Sequence, residues 1–454
     1  MAIGLAKSNS ISPARLAAFE ILRRVEEGAY ASVLLAASEP DLSPLDRGLC
    51  HELVMGVLRR QLWLDRLAQI YANRRIDDLD VPVRLALRLG LYQLRFLSRI
   101  PASAAVNESV NLVYFARLRS AAGLVNAVLR RATREPEVDP AATIEDPVER
   151  LAVSTSHPIW LIDRWAKALG VDEAEAFARA NNEPAPVAFR VVENCADETA
   201  TCEQLRDDGA VLTPSAITAG SWRVVGGGAL LGKLVAEGKV YIQDEASQLV
   251  AVVLEAQPGE RVLDLCAAPG SKTTQIADAV RNSAMIVAGD IRRHRLRSIL
   301  QTARLQSFDC INCVALDGTQ QLPFKRGVFD RVLVDAPCSG TGTLRRNPEI
   351  RWRISPEAIK DLSRLQRQLI LQAAEFVKPG GRLIYSTCSI ETDENENVAQ
   401  ELLEKREDFI PAVLAADASL MTGRGKARTW PHRQDVDGFF ISAFLRNADA
   451  TVRS

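Results

Sequence analysis

The chain has 454 residues, a formal net charge of −1, 47% hydrophobic residues and 25% charged residues. This is the make-up of an ordinary soluble protein of about three domains, with no global basic excess to advertise a nucleic-acid binder. No apolar run reaches the ~18 residues of a membrane span. Eight cysteines are too few for a disulfide scaffold, and Met1–Lys7 lacks the apolar core of a secretory signal, so a reducing cytoplasm is expected.

The first ~135 residues carry helical periodicity and few strand signals. Between Val83 and Leu97, Leu87, Leu91 and Leu94 recur at the spacing of a buried stripe. Arg84, Arg88, Arg95 and Arg99 share a neighbouring face, which reads as an RNA-facing or simply a solvated surface. Pro101 ends that pattern, and further helices are expected over 104–115 and 121–131. Arginine pairs stand at Arg59-Arg60, Arg74-Arg75, Arg130-Arg131, Arg292-Arg293 and Arg345-Arg346. Their planar forks suit phosphate, although arginines also decorate any wet helix.

Glu135-Pro136-Glu137-Val138-Asp139-Pro140 reads as a linker. A second piece starts near His157 with helices and then turns to strands at 187–191 and 239–242. From about Gln257 strands and helices alternate: strands at 261–265, 284–289, 312–316, 332–334 and 383–385, with helices from 272, over 293–305, over 356–377 and over 395–405. This spacing predicts βαβ crossovers and a mostly parallel sheet.

Chemistry is expected where such strands end. Asp264 sits near the end of the first strand, and the turn after it, Cys266-Ala267-Ala268-Pro269-Gly270-Ser271-Lys272, holds small residues that let backbone approach a ligand closely. Asp290 and Asp317 end the next two strands. Asp290 is placed to hold ribose hydroxyls and Asp317 to reach an adenine amine, and three acids around one pocket suit the sulfonium of S-adenosylmethionine. Gly270-Ser271-Lys272-Thr273 lacks the glycine spacing of a phosphate-binding loop, which excludes that type of ATPase.

Two more strand ends lead into Asp335-Ala336-Pro337-Cys338-Ser339-Gly340-Thr341-Gly342 and Tyr385-Ser386-Thr387-Cys388-Ser389. Two thiols facing one cofactor pocket point to covalent catalysis on an electron-poor ring. A thiolate added to C6 of cytosine makes C5 nucleophilic, C5 takes a methyl group, and loss of the C5 proton expels the thiol. A free thiol, with pKa ~8.5, is only slightly ionised at neutral pH, so the site must assist its deprotonation. Asp335 is placed to contact the ring edge, with Lys272 supporting that carboxylate or the thiolate. The target base must be single-stranded or flipped out. Cys50, Cys195, Cys202 and Cys266 read as small buried hydrophobes. Cys310 and Cys313 have ligand spacing but no second pair, and the four histidines form no cluster, so no metal is expected. His294 reads as exposed and His432 as mainly structural.

These strings, with Gln243–Ser247, Arg345-Arg346-Asn347-Pro348 and Asp437–Phe440, resemble in order and spacing the RNA (cytosine-5) methyltransferases of the NOL/NOP/Sun family. The resemblance implies Cys388 as nucleophile and Cys338 as the cysteine that helps release product. It also implies S-adenosylmethionine held by residues 266–272 with Asp290, Asp317 and Asp335. Ser271 departs from the usual glycine, and its hydroxyl is expected to cap the following helix. Asp46–Leu49, Glu52–Val54, Asn107–Val110 and Val125–Arg131 resemble the helical domain related to the antitermination factor NusB. The fusion implies an α/β chain. Its parts are an all-helical NusB-like RNA-binding domain over 1–137, a small α/β module over 150–255 and a Rossmann-like methyltransferase domain over 256–447. The partner expected from it is small-subunit ribosomal RNA, with transfer RNA and a non-catalytic RNA-binding role as alternatives, and no feature calls for an obligate oligomer, so a monomer is expected.

Overall fold

The computed structural model describes residues 11–449, so the Met1–Lys7 start lies outside the described residues. Within them no helix is long and apolar enough to cross a membrane. The described chain divides into two units. One runs to Glu183 and includes Leu344–Arg353; the other comprises Pro184–Thr343 and Ile354 onward.

The first unit is helical, as its periodicity predicts. Proline opens several helices, where its missing N–H costs nothing. In Pro44–Arg59 the Ser43 hydroxyl also caps the Asp46 amide. Helix Val81–Phe96 buries Leu87 and Leu91 against Phe19, Leu53, Leu64 and Leu129, while Leu94 stays half-buried. Helices Ala102–Phe115 and Ala122–Arg134 follow.

The shared arginine face is not a solvated or RNA-facing stripe throughout. Arg88 is buried and donates to both Asp65 oxygens, at 2.7 and 2.8 Å, and to Glu26 at 2.7 Å. Arg95 donates to the Tyr71 hydroxyl and the Ala132 carbonyl. Arginine's stem is long enough to reach carboxylates on neighbouring helices, so sequence position on the helix does not dictate exposure. Leu344–Arg353 is tied into this unit by Arg351, which is fully buried. Its guanidinium donates to the Asn182 side chain at 2.9 Å and to the Ser156 and Asn181 carbonyls.

The second unit holds two sheets. Strands β1 (Val187–Val191), β2 (Val211–Pro214), β3 (Ser221–Gly226) and β4 (Val240–Ile242) form a small antiparallel sheet in the order β2-β3-β1-β4. The larger sheet uses β5 (Arg261–Asp264), β6 (Met285–Asp290), β7 (Ile311–Ala315), β8 (Phe329–Asp335) and β9 (Val377–Thr387). To these it adds β10 (Phe409–Pro411), β11 (Met421–Gly423), β12 (Lys426–Arg428) and β13 (Phe440–Arg446). Their order is β11-β12-β13-β9-β8-β5-β6-β7, with β10 on β13. Strands β5 to β9 are mutually parallel, and β13 joins β9 antiparallel. This is a Rossmann-like sheet, and the chain order reverses on either side of β5, so the crevice above β5 and β8 is where a ligand binds in such folds. The sheet is covered on one face by Ile276, Ile299 and Ala303, and on the other by Leu369, Ile370 and Ala373. Arg190 of β1 joins the small sheet to helix Ser271–Ala279 through Thr274 at 3.0 Å and Asp278 at 3.5 Å.

Asp264, the last residue of β5, is buried and accepts from the Thr273 hydroxyl at 2.7 Å, while its Oδ1 lacks a hydrogen-bond partner among the described residues. Burial pushes its carboxyl up from the ordinary 3.8 to about 7, against the opposing pull of the Thr273 bond.

Two predictions follow from these buried charges. Arg88→Ala leaves Asp65 without its main partner in a buried setting and should cost ~3 kcal/mol or more in denaturant unfolding. Asp264 in the folded chain keeps its proton to higher pH than in the unfolded chain, so its contribution to stability falls as pH rises from about 4 to 7. The neutral Asp264→Asn variant, with no ligand added, should therefore gain on wild type by about 2 kcal/mol between pH 5.5 and pH 8. Melting curves with parallel pH dependence would contradict this.

Candidate active site

Strands β8 and β9 lie side by side with Asp335 opposite Ser386. The chain leaves both at the same edge, so residues far apart in sequence emerge together. The Sγ atoms of Cys338 and Cys388 stand 3.3 Å apart. Gly342 in the first loop donates its N–H to the Cys388 carbonyl at 3.0 Å, and its carbonyl accepts from the Gly438 N–H at 2.8 Å. A Cβ on Gly342 would lie 1.9 Å from the Gly438 carbonyl oxygen, so only glycine lets these backbones meet.

Lys272 and Asp335 form an ion pair at 2.7 Å, and the other Asp335 oxygen accepts from the Ser386 hydroxyl at 2.7 Å. The Lys272 ammonium also sits 5.3 Å from the centre of the Phe439 ring. Burial lowers the proton affinity of Lys272, but Asp335 and then Cys388 outweigh it, and the net shift is upward. The Cys338 thiol is pushed well up, first by its hydrogen bond with Cys388 and then by burial.

Both cysteine loops also rest on a buried polar cluster. The Ser339, Thr341 and Ser389 hydroxyls lie within 3.0 to 3.4 Å of one another, and Glu394 receives Ser339 and Ser389. Asn395 accepts from the Thr387 hydroxyl and donates to the Ser389 carbonyl. The hydroxyl residues fall within the two cysteine motifs, but Glu394 and Asn395 lie outside them. Glu394 and Asn395 sit in the polar run Glu391–Asn397, which looks like an exposed helix start, and only a serine directly after each cysteine hints at a shared anchor.

The expected cofactor loop is the β5-to-helix turn. Ala267 and Ala268 are buried; the Ala267 N–H donates to the Gly289 carbonyl, and Arg295 donates to the Ala268 carbonyl. Gly270 has φ +110 and would press a Cβ against Ile299 at 3.0 Å. It, and not Ser271, occupies the cap position of helix Ser271–Ala279, and no side chain caps that end. The expected Ser271 cap is therefore not made, because Ser271 is already inside the helix. Its backbone does not need positive φ, so a serine fits there.

Asp290 accepts from the Arg292 amide at 2.8 Å and pairs loosely with Arg295 at 3.6 Å. Asp317 accepts from the Thr319 amide and hydroxyl. Asp290 and Asp317 each hold a turn with one oxygen. S-adenosylmethionine carries an ammonium and a sulfonium. The donor set of Asp264, Asp290, Asp317 and Asp335, with an unpartnered buried oxygen on Asp264, fits a ligand with two cationic centres. His294 is exposed, and His432 is half-buried with its ring 5.5 Å from Trp430.

Residues 251–445 match the family model described as 16S rRNA methyltransferase RsmB/F. Residues 12–134 match the NusB family, and 157–224 match the ferredoxin-like domain of RsmF/B-like methyltransferases. The chain is 34% identical to the probable ribosomal RNA small subunit methyltransferase B of Bacillus subtilis, over 94% of this chain and 98% of that protein. It is 36% identical to the ribosomal RNA small subunit methyltransferase B of Pseudomonas putida, over 96% and 98%. Among solved structures, the protein PH0851 aligns with TM-score 0.84 at 27% identity, over 96% of this chain and all of that one. A methyltransferase homolog from Pyrococcus horikoshii aligns with TM-score 0.59 at 26% identity, over 67% of this chain and all of that one. With a NusB-type helical part, a ferredoxin-like module and a Rossmann-like sheet in one chain, and full-length relatives at this identity, the chain belongs to the ribosomal RNA small subunit methyltransferase B family.

Proposed function

We propose that this protein transfers a methyl group from S-adenosylmethionine to C5 of a cytosine in small-subunit (16S) ribosomal RNA, through a covalent bond between Cys388 and C6. The observation that carries the reading is the pair of sulfurs 3.3 Å apart at the ends of two adjacent parallel strands, beside the Lys272–Asp335 pair. A single structural thiol needs no second thiol in contact with it. A mechanism that adds and then expels a sulfur has work for both.

In this reading residues 266–272, Asp290, Asp317 and Asp335 hold the donor. Bound S-adenosylmethionine supplies an electrophilic methyl group. Cys388 adds to C6 as the thiolate, and electron density moves to C5. The Lys272 ammonium, buried and raised in proton affinity partly by Cys388, offsets negative charge developing beside it. Asp335 already uses both oxygens, on Lys272 and Ser386, so it reaches the ring edge by exchanging one of these partners for the base. After C5 is methylated, a base takes the C5 proton, the C–H electron pair restores the C5–C6 double bond, and the C6–S bond breaks with Cys388 leaving as the thiolate; Cys338 assists this elimination. The NusB-type helices and the ferredoxin-like module supply RNA contacts, and the enzyme works as a cytoplasmic monomer. The full-length relatives named for the small ribosomal subunit favour ribosomal over transfer RNA.

Bisulfite mapping of small-subunit RNA from cells with and without the protein tests the substrate directly: one cytosine should lose protection when the protein is removed. Cys388→Ala should lower methyl transfer by on the order of 10³ or more while leaving S-adenosylmethionine affinity within about twofold. Normal turnover would reject the nucleophile assignment. Cys338→Ala should instead accumulate a protein–RNA adduct that survives denaturing electrophoresis. Loss of activity without any adduct would remove Cys338 from the elimination step.

A further inference from the structure

We propose that Glu394 is the positioning residue that sets the distance between the two reacting thiols, by holding the Cys338 and Cys388 loops on one carboxylate. The proposal rests on the reading of these thiols as the reacting pair. Glu394 has 0% exposure. Its Oε1 accepts from the Ser339 N–H and from the Gln366 amide, each at 2.9 Å. Its Oε2 accepts from the Ser389 hydroxyl at 2.5 Å and from the Ser339 hydroxyl. Ser339 directly follows Cys338, and Ser389 directly follows Cys388.

The attachment extends to either side of the thiols. Gln366 also donates to the Pro337 carbonyl at 2.9 Å, just before Cys338. The Glu394 carbonyl accepts from the Tyr385 hydroxyl at 2.5 Å, on the strand that leads to Cys388. One residue thus grips both loops and the strand beneath one of them. Removing a carboxylate from water is costly, and four donors are needed to offset it. Burial raises the Glu394 carboxyl, and its hydrogen bonds pull the other way. The two loops also meet where the Gly342 N–H donates to the Cys388 carbonyl, the Ala336 N–H to the Ser386 carbonyl and the Ile390 N–H to the Thr341 hydroxyl. Those bonds lie two or more residues from a cysteine, apart from the one on the Cys388 carbonyl, whereas the Glu394 carboxylate holds the residue directly after each cysteine with its two oxygens at once.

The readout is the separation of the sulfurs, measured apart from methyl transfer. The full-length enzyme is equilibrated in mixtures of reduced and oxidised glutathione, and the Cys338–Cys388 disulfide is quantified by peptide mass spectrometry. Two glutathione thiols are released for each protein disulfide, so the equilibrium gives the effective concentration of one thiol at the other. Glu394→Gln keeps the shape and loses the charge; Glu394→Asp keeps the charge and falls one methylene short of spanning both loops. Both should lower the effective concentration tenfold or more and lower kcat in step, with KM for S-adenosylmethionine within about twofold. An unchanged thiol equilibrium in both variants overturns the proposal, as does a lowered melting temperature with unchanged equilibrium and kcat, which is what a purely structural residue gives. Should the Glu394 variants fail to fold, Ser389→Ala frees one loop alone and should shift the equilibrium at least threefold in the same direction; no shift overturns the proposal. Because the glutathione equilibrium needs no RNA, it separates failure of Glu394 as a positioning residue from failure of Cys388 as the nucleophile.

Discussion

Parallel pairing of β8 with β9 is the constraint from which the site follows. Parallel neighbours end at the same edge, and the Asp335–Ser386 register brings their two exits level. A shift of two residues would separate the sulfurs by about two strand rises, ~6 to 7 Å, and no side-chain rotation of a cysteine recovers that distance. The register is held on one side by β5 against β8 and on the other by β13 against β9. The segment Asp437–Phe439 leads directly into β13, so the pairing of that strand with β9 brings Gly438 and Phe439 to the thiol edge.

Electrostatics then divide the labour among groups that look alike in the sequence. Asp264, Asp290 and Asp335 end β5, β6 and β8, and Asp317 lies just past β7. Asp264 is buried with one free oxygen and holds its proton to about pH 7. Asp335 is saturated by a lysine and a serine. Asp290 and Asp317 shape turns with one oxygen each. The Cys338 thiol is pushed well up by its contact with Cys388 and by burial. One edge of one sheet therefore holds two thiols in contact, a cationic lysine and a row of carboxylates.

Much of this was legible from residue order. Helix Arg293–Leu305 and strand β1 fall on the residues that periodicity predicts, and β5 and β6 agree to within one residue at each end. The cysteines and Lys272 are found through strand ends and small-residue turns, since those signals are local. Features set by distant partners were not legible. The Arg88 face reads as wet until Asp65 and Glu26 are seen beside it. Ser271 reads as a cap until the left-handed backbone is found at Gly270. Glu394 reads as one more acid in a polar run, because its four donors come from segments up to 55 residues away. Leu344–Arg353 follows the Cys338 loop in sequence, yet its buried Arg351 is anchored among the amino-terminal helices, a pairing that no local pattern encodes.

The central claim is that the sulfur of residue 388 forms the temporary bond to the pyrimidine. The most direct measurement replaces the target cytosine in the RNA with 5-fluorocytosine, whose C5 has no proton to lose, so that expulsion of the sulfur is blocked after methylation. Digestion of the trapped complex and mass spectrometry of the peptides then locate the attachment. The account predicts RNA fragments on Cys388, formed only when S-adenosylmethionine is present to drive the adduct forward. Attachment at Cys338, or methylation of unmodified RNA with no trapped species from the fluorinated one, would contradict it.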